Sequence, residues 1–587
     1  MIRSSRYLLF LLLVHTAVAK LRTFELNISR RNVNPDCFNQ SYPVLVVNDQ
    51  FPGPPIRVTN NDDVHIIVRN KADVATTIHY HGIFQIGTTE ADGMPNVTQA
   101  AIAPGEEYHQ YFKVINQAGT YFYHAHVDLH DDSAYGPFIV YDSEEAWPEH
   151  SNGRLSDGPF EYDDERVLML SEWWHQNDNE RLEYYMGKRF NGVKAADSYL
   201  INGRTIYDPA NEKDDCNGFS SIDVQQGKVY RLRIIGSMTF ASLGLSIAQH
   251  TMTIIEVDGN LVKPYQTSFL DIASGQRFSV LISADQAPES YYMNTAAYVT
   301  DPSSNGKAVI RYVTGGDDSN DSNDNDDNDD NDDNRALGVS VPGIFGTSVK
   351  AVSVPAPPDV PTTFSQWVFP QLTPLIDQGP DFGKPPDRTI ILSPIEQRVS
   401  PGNTTRWYIN GHAPPEWDEP LIEQLTRHQH PWLNKTAIRL NRAGITDGYD
   451  HTLQTYPMNY GEVVDIVLHT AMLSDGTCAG HPWHTHGMVH YAIANGQGQY
   501  IHQRDKYIRT YPTPIPKDVT FVYGLFPVPP NTPVGTLCTW TKIRLHLINP
   551  GLWAFHCHIT SHMLQGMMTI LEVAPHQIEY LQRNRKR

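Results

Sequence analysis

Residues 553–567 read WAFHCHITSHMLQGM: a cysteine between two histidines, then a third histidine and a methionine at intervals. The segment has the look of a β-strand, in which side chains i and i+2 share one face and i+1 takes the other. His556 and His558 therefore point one way and Cys557 the opposite way. An unpaired thiol is a liability where oxidants are present, so a cysteine placed here needs a chemical reason.

Three more clusters have the same build: HYHG at 79–82, HAH at 124–126 and HPWHTHG at 481–487. On strands, the pairs His79/His81, His124/His126 and His484/His486 each put two imidazoles on one side. One such pair is commonly a core or surface feature; four of them define a metal site. His481 lies an odd number of residues before His484, with Pro482 to bend the chain, so it can turn away from the pairs and face Cys557. Two imidazoles from His481 and His562, the Cys557 thiolate and a weak thioether from Met567 make a blue-copper electron-transfer site. A metal also explains the lone thiol, which coordination holds as thiolate. Met567 has a plain core role as its alternative, with Met568 beside it. Eight histidines remain for the other face, and imidazole suits copper, zinc, iron or nickel. Covalent continuity through Cys557 makes copper the economical choice, with three ions sharing eight histidines in an O₂-reducing cluster.

The rest of the chain sets the frame. Its 587 residues exceed what one hydrophobic core fills. Short strand-like runs, such as VHIIVRN (64–70), VYRLRIIG (229–236) and VVDIVLHT (463–470), recur between turn residues and point to β-sandwiches. Residues 178–187 read as a short helix. Composition shifts place domains at 20–150, 151–315 and 345–575, with a polar tail at 576–587. A net charge of −21 argues against nucleic-acid binding, and ten of the aspartates lie in 317–334, within a linker at 316–344 expected to be extended and disordered. Residues 1–19 resemble a secretory signal, with Arg3 and Arg6, an apolar run and Ala17-Val18-Ala19. No later run reaches the roughly 20 apolar residues of a membrane span. Sequons at Asn27, Asn39, Asn96, Asn320, Asn403 and Asn434 fit a secreted glycoprotein. Of five cysteines one must be left over, and Cys557, among ligand-type neighbours, is that one. Cys37, Cys216, Cys478 and Cys538 allow three pairings.

Taken together, the four clusters resemble those of the multicopper oxidases, the family of laccases, ascorbate oxidases and ferroxidases, in family order and over essentially the whole chain past the leader. The resemblance implies an all-β fold of three cupredoxin-like Greek-key β-sandwiches, with a trinuclear copper site between the first and third. It implies four copper ions: a type 1 ion on His481, Cys557 and His562 with Met567 axial, a type 2 ion on His79 and His484, and two type 3 ions, one on His81, His124 and His558, the other on His126, His486 and His556. Electrons would enter at the type 1 ion, pass through Cys557 and reduce O₂ to water. Asp92, in EADGMPN, matches a family acid near the trinuclear site, with an Asp-Gly turn as its ordinary role. Many relatives carry a second acid just after HCHI, where this chain has Thr560. For the electron donor, Trp407 in RWYIN and Trp173 or Trp174 in LSEWWHQ resemble the aromatic walls of ascorbate oxidases. Asp197 sits where laccases place a carboxylate that accepts a phenol proton. Cys37 and Cys216 match positions bridged in ascorbate oxidases, which leaves Cys478 for Cys538. The partners expected are a small-molecule reductant and O₂. Fe(II) oxidation, or copper holding without catalysis, are the alternatives.

Overall fold

The computed structural model describes residues 19–149, 153–208, 216–297, 306–313, 347–349, 368–377, 379–427 and 433–584. The secretory leader (all but its last residue) and the acidic linker lie outside these residues. Among the described residues, three pairs of facing sheets form three β-sandwiches. In the first, the strands Leu21–Val33, Tyr42–Val47, Asp63–Asn70 and Glu107–Lys113 face a sheet of four. The second and third sandwiches pair sheets of six with six and five with five.

All three repeat one plan, which the long-range pairings reveal. The first strand of each sandwich lies parallel to a later one: Leu21–Val33 to Asp63–Asn70, Asp164–Trp173 to Val229–Gly236, and Arg388–Leu392 to Val463–Ala471. A parallel pair needs a crossover to the other sheet, and each sandwich also has a parallel pair there: Ile56–Thr59 with Tyr135–Tyr141, Phe219–Gln225 with Lys307–Val313, and Tyr456–Met458 with Met568–Val573. The strands expected at 64–70, 229–236 and 463–470 are present, extended by at most one residue. The expected helix spans Asp178–Met186, started by the Asn177 side chain, which accepts from the Glu180 N–H.

Burial separates two kinds of strand. Asp63–Asn70 alternates, with Val64, Ile66 and Val68 in the core and the residues between them turned toward water. Gly119–Ala125, His481–Thr485 and Gly551–Cys557 are buried at every position. These last have a sandwich core on one face and another domain on the other, and they carry the histidines.

The second sandwich holds the other two together through buried polar groups. Arg277 is fully buried and donates to both carboxylate oxygens of Asp518 in the third sandwich, at 2.5 and 2.6 Å, and to the Thr120 carbonyl of the first at 3.2 Å. The Asp258 carboxylate accepts from the Arg277 N–H at 3.0 Å and from the Asp518 N–H at 3.3 Å. Glu256 accepts from the Thr120 N–H at 2.9 Å. Gly82 (φ +88°) leaves room for this junction, since a Cβ there would stand 2.7 Å from the Arg277 guanidinium. Two disulfides, Cys37–Cys216 between the first and second sandwiches and Cys478–Cys538 in the third, leave Cys557 free, as the family resemblance implied.

Arg277→Met should cost about 3–5 kcal/mol, because it strands the Asp518 carboxylate in the interior without its cation. An unfolding midpoint equal to that of the unaltered protein would refute this weight on Arg277.

Candidate metal centre

Five strands build the site: β1 (Ile78–His81), β2 (Gly119–Ala125), β3 (His481–Thr485), β4 (Gly551–Cys557) and β5 (Met568–Val573). Antiparallel pairing sets His79 opposite His124 in β1 and β2, and His484 opposite His556 in β3 and β4. The pair β1–β2 of the first sandwich meets β3–β4 of the third, which brings the eight histidines into one buried group. His556 Nε2 stands 3.1 Å from His486 Nε2, and His558 Nε2 stands 3.2 Å from His81 Nδ1.

Cys557 faces the other way, as strand alternation demands. Its Sγ is 3.7 Å from His481 Nδ1 and 3.9 Å from His562 Nδ1, so both rings turn the same nitrogen toward sulfur. The one-turn helix Thr560–Leu564 returns His562 to that side. Met567 is fully buried in the same apolar cluster, and its carbonyl accepts from the Cys557 N–H at 3.0 Å.

Hydrogen bonding fixes which nitrogens are free. A carbonyl oxygen only accepts, so an imidazole nitrogen bonded to one must carry the hydrogen. His79 Nδ1 donates to the Asp92 carbonyl (2.7 Å), His484 Nδ1 to the Asp518 carbonyl (3.0 Å), His124 Nδ1 to Ala125 (2.9 Å) and His556 Nδ1 to Cys557 (2.9 Å). Each of these four rings keeps a lone pair on Nε2. Those of His79, His124 and His484 are buried without any hydrogen-bond partner, as are both nitrogens of His126 and Nε2 of His481. Buried polar atoms seldom go unpaired; a set of convergent imidazole lone pairs is what a metal ion satisfies.

Electrostatics point the same way. Burial pushes His481 and His556 down to about 3 and His486 to about 4, and it holds His81, His124, His126, His484, His558 and His562 well below their ordinary value. The rings are therefore neutral, the form that binds metal. Burial also pushes the Cys557 thiol up, so only a bound cation would make it a thiolate at neutral pH. Asp92 is fully buried; burial opposes its charge, but His486 (Nδ1 to Oδ2, 2.9 Å) and His79 hold it below the usual carboxylate range. The Asp-Gly turn and the site role coincide here, because the same residue holds two rings, through its carbonyl and its carboxylate.

Two of the ligand groups expected from sequence are compact sets, His126/His486/His556 and His481/Cys557/His562. The remaining rings interleave: His79 stacks on His486 at 3.9 Å and His81 on His484 at 3.7 Å between centroids, so other three-nitrogen groupings are also within reach. Of the proposed donor residues, Trp407 lies at the sulfur side, 5.5 Å from the His481 ring and 5.1 Å from His562. It is only 2% exposed, so it walls the two rings rather than offering a face to solvent. Trp173 packs on Tyr42 and Phe51, and Trp174 lies beneath the Arg181 guanidinium. The Asp197 carboxylate accepts from the His175 N–H at 2.7 Å.

Sequence reasoning missed the supporting residues. Ser274 Oγ holds His558 Nδ1 at 2.8 Å, and Asp518 Oδ1 holds His81 Nε2 at 3.2 Å. A Cβ on Gly275 (φ +80°) would stand 2.8 Å from the His81 ring, so only glycine lets the second sandwich approach this closely. Arg277, a lone charge in the apolar run RFSVLIS, was the one available signal.

Comparison with known proteins agrees with this geometry. Family models described as "Multicopper oxidase" match residues 27–145, 164–315 and 414–577. The chain is 28% identical to an L-ascorbate oxidase of Cucumis sativus, over 95% of this chain and 90% of the relative. It is 30% identical to Laccase-3 of Oryza sativa subsp. japonica, over 96% and 95%. Among solved structures, the laccase of Botrytis aclada superposes with a TM-score of 0.71 at 22% identity, covering 97% of this chain and 92% of that one. Fet3p, titled a multicopper oxidase that functions in iron import, gives 0.70 at 23% identity, covering 96% and 92%.

The nine lowered imidazoles predict how the metal-free protein responds to acid. Unfolded histidine titrates near pH 6.5, so between about pH 6.5 and 4 the unfolded chain binds more protons and stability falls with pH. Five carboxyls pushed up by burial, Glu90, Asp131, Glu172, Asp518 and Glu572, oppose this but are outnumbered. The Tm of metal-free protein should drop markedly from pH 7.5 to pH 5; a level Tm would contradict neutral, buried rings.

Proposed function

Because the chain belongs to the multicopper oxidases, and is by that membership a copper-dependent oxidase, we propose that it holds four copper ions and couples one-electron oxidation of a small organic reductant to reduction of O₂ to water. The reductant is a phenol, a diphenol or an ascorbate-like ene-diol. One observation carries the reading: Cys557 faces His481 and His562 on one side of its strand, while its covalent neighbours His556 and His558 face the eight-histidine group on the other.

The ligand sets implied by the family resemblance are retained: His481, Cys557, His562 and Met567 for the type 1 ion, His79 and His484 for type 2, and the two triads for type 3. The unpartnered lone pairs and neutral rings support them. Copper bound in these sets supplies one-electron acceptance beside Cys557 and four-electron reduction of O₂, with four protons, to two waters beside the histidine group.

The chain's own residues do the rest. Cys557 links the two sides by the backbone and also by its carbonyl, which accepts the Nδ1–H of His556 at 2.9 Å. Asp92 and Asp518 orient His79, His486, His81 and His484, fixing tautomer and aim. His562 is 5% exposed while His481 is fully buried, so the reductant meets the sulfur side at the His562 edge, beside the Trp407 wall. The two disulfides, the leader and the sequons support export to an oxidising compartment. No helix among the described residues is long and apolar enough to cross a membrane.

Purified copper-loaded protein should be blue and take up O₂ with ascorbate or a methoxyphenol, with higher kcat/KM than with Fe(II). Cys557→Ser should abolish the colour and reduce uptake to background. Asp197→Ala should lower kcat/KM for the phenol and spare ascorbate if a phenol is the donor. A preference for Fe(II) would turn the reading to a ferroxidase, and a blue protein inert toward all three donors would leave only copper holding.

A further inference from the structure

Each O₂ converted to two waters takes four protons, and they must reach a group of side chains that is almost wholly buried. Asp92 is already engaged in orienting His79 through its carbonyl and His486 through its carboxylate. Thr560, at the place where many relatives of the family carry an acid, has no acidic proton. The Thr560 hydroxyl has a partner, however: it donates to Asp131 Oδ2 at 2.5 Å.

We propose that the Asp131 carboxyl, positioned by Thr560, is the proton relay between solvent and the eight-histidine side of the site. The proposal rests on the multicopper oxidase reading above and assigns to it a residue from a different strand connection. Asp131 lies in the 3₁₀ turn His130–Asp132, just after β2, and is 8% exposed. A narrow cleft lined by Asp128, Asp131 and Thr560 together with His126, His556 and His558 joins the carboxyl to the histidine side. The cleft has room for about one water molecule, the length of a single bridge between a carboxyl and an imidazole edge. Asp128 is exposed, which opens the far end to solvent.

The carboxyl has one oxygen engaged by Thr560, while Oδ1 is buried with no hydrogen-bond partner. A carboxylate left so costs more than the uncharged carboxylic acid with its hydrogen on Oδ1. Its neighbours set the two aspartates apart. Asp132 is paired with the Arg181 guanidinium and the Thr239 hydroxyl. Burial, then the Asp132 carboxylate, push Asp131 well above the usual range, with the Thr560 hydroxyl and then Arg181 opposing. A buried carboxyl pushed up in this way supplies an acid at neutral pH. In turnover Asp131 gives up the Oδ1 proton toward the histidine side, becomes a carboxylate accepting from Thr560, and regains a proton from solvent past Asp128. No electrons pass through it; those come from the reductant.

The test compares unaltered enzyme with Asp131→Asn, Thr560→Val and the double variant Asp131→Asn/Thr560→Asp. Asp131→Asn should slow O₂ uptake at saturating reductant by about 10²-fold, the lower end for loss of a positioned acid. Copper content, the blue colour and the anaerobic rate of its bleaching by reductant should not change. The double variant, which moves the acid across the hydrogen bond, should recover much of the loss. Independently of activity, infrared spectra of copper-free protein at neutral pH should show, beside the protonated-carboxyl signals of Glu172 and Glu572, a further such band that Asp131→Asn removes and Thr560→Val shifts. Full-speed uptake in Asp131→Asn, absence of that band, or slowing that only follows copper loss would overturn the proposal. If the unaltered enzyme takes up no O₂ with any donor, the functional reading fails instead, and the infrared band still tests Asp131.

Discussion

Neighbouring side chains on an extended strand must leave opposite faces, and residues 556–558 turn that necessity into a connection between two chemically different places. Sulfur on one face finds two Nδ1 atoms; the flanking imidazoles on the other find the rings of the first sandwich. A one-residue slip of β4 against β3 and β5 would exchange the faces and destroy both. The register His484 opposite His556 and Phe555 opposite Thr569 is therefore as much a part of the chemistry as any ligand.

Holding such a register between two sandwiches requires a third. The second sandwich contributes none of the proposed ligands, yet Ser274 fixes the His558 ring and the close approach at Gly275 seats it against that ring and His81. Arg277 joins it to both partners at once. The polar junction has a physical advantage over an apolar one: a fork of guanidinium on carboxylate sets angle as well as distance, and Asp518, which receives it, also aims two histidines.

The sequence carried much of this. The four clusters, the alternation around Cys557 and the outward turn of His481 are local properties, legible because spacing on a strand translates directly into direction. The supporting shell was not legible for the opposite reason. Asp518 meets His81, Ser274 meets His558 and Asp131 meets Thr560 through contacts hundreds of residues apart along the chain, and nothing in PKDVTF or LHDDSA marks them locally. The tryptophans show a third case. Resemblance named Trp407 as a wall for the donor, and the fold does bring it to His562, but its near-complete burial makes it a wall for the ligands. Burial depends on what covers a residue, which spacing does not encode.

The eight-histidine group draws its members from positions 79 to 558 of a chain of 587. No nascent chain still short of its last strands can assemble it, and β1 with β2 alone offers only half the rings. Loading with metal is thus a final act of maturation, after synthesis is complete and the third sandwich has docked. The histidine group doubles as a checkpoint: metal held there reports that the whole polypeptide has been made, folded and closed.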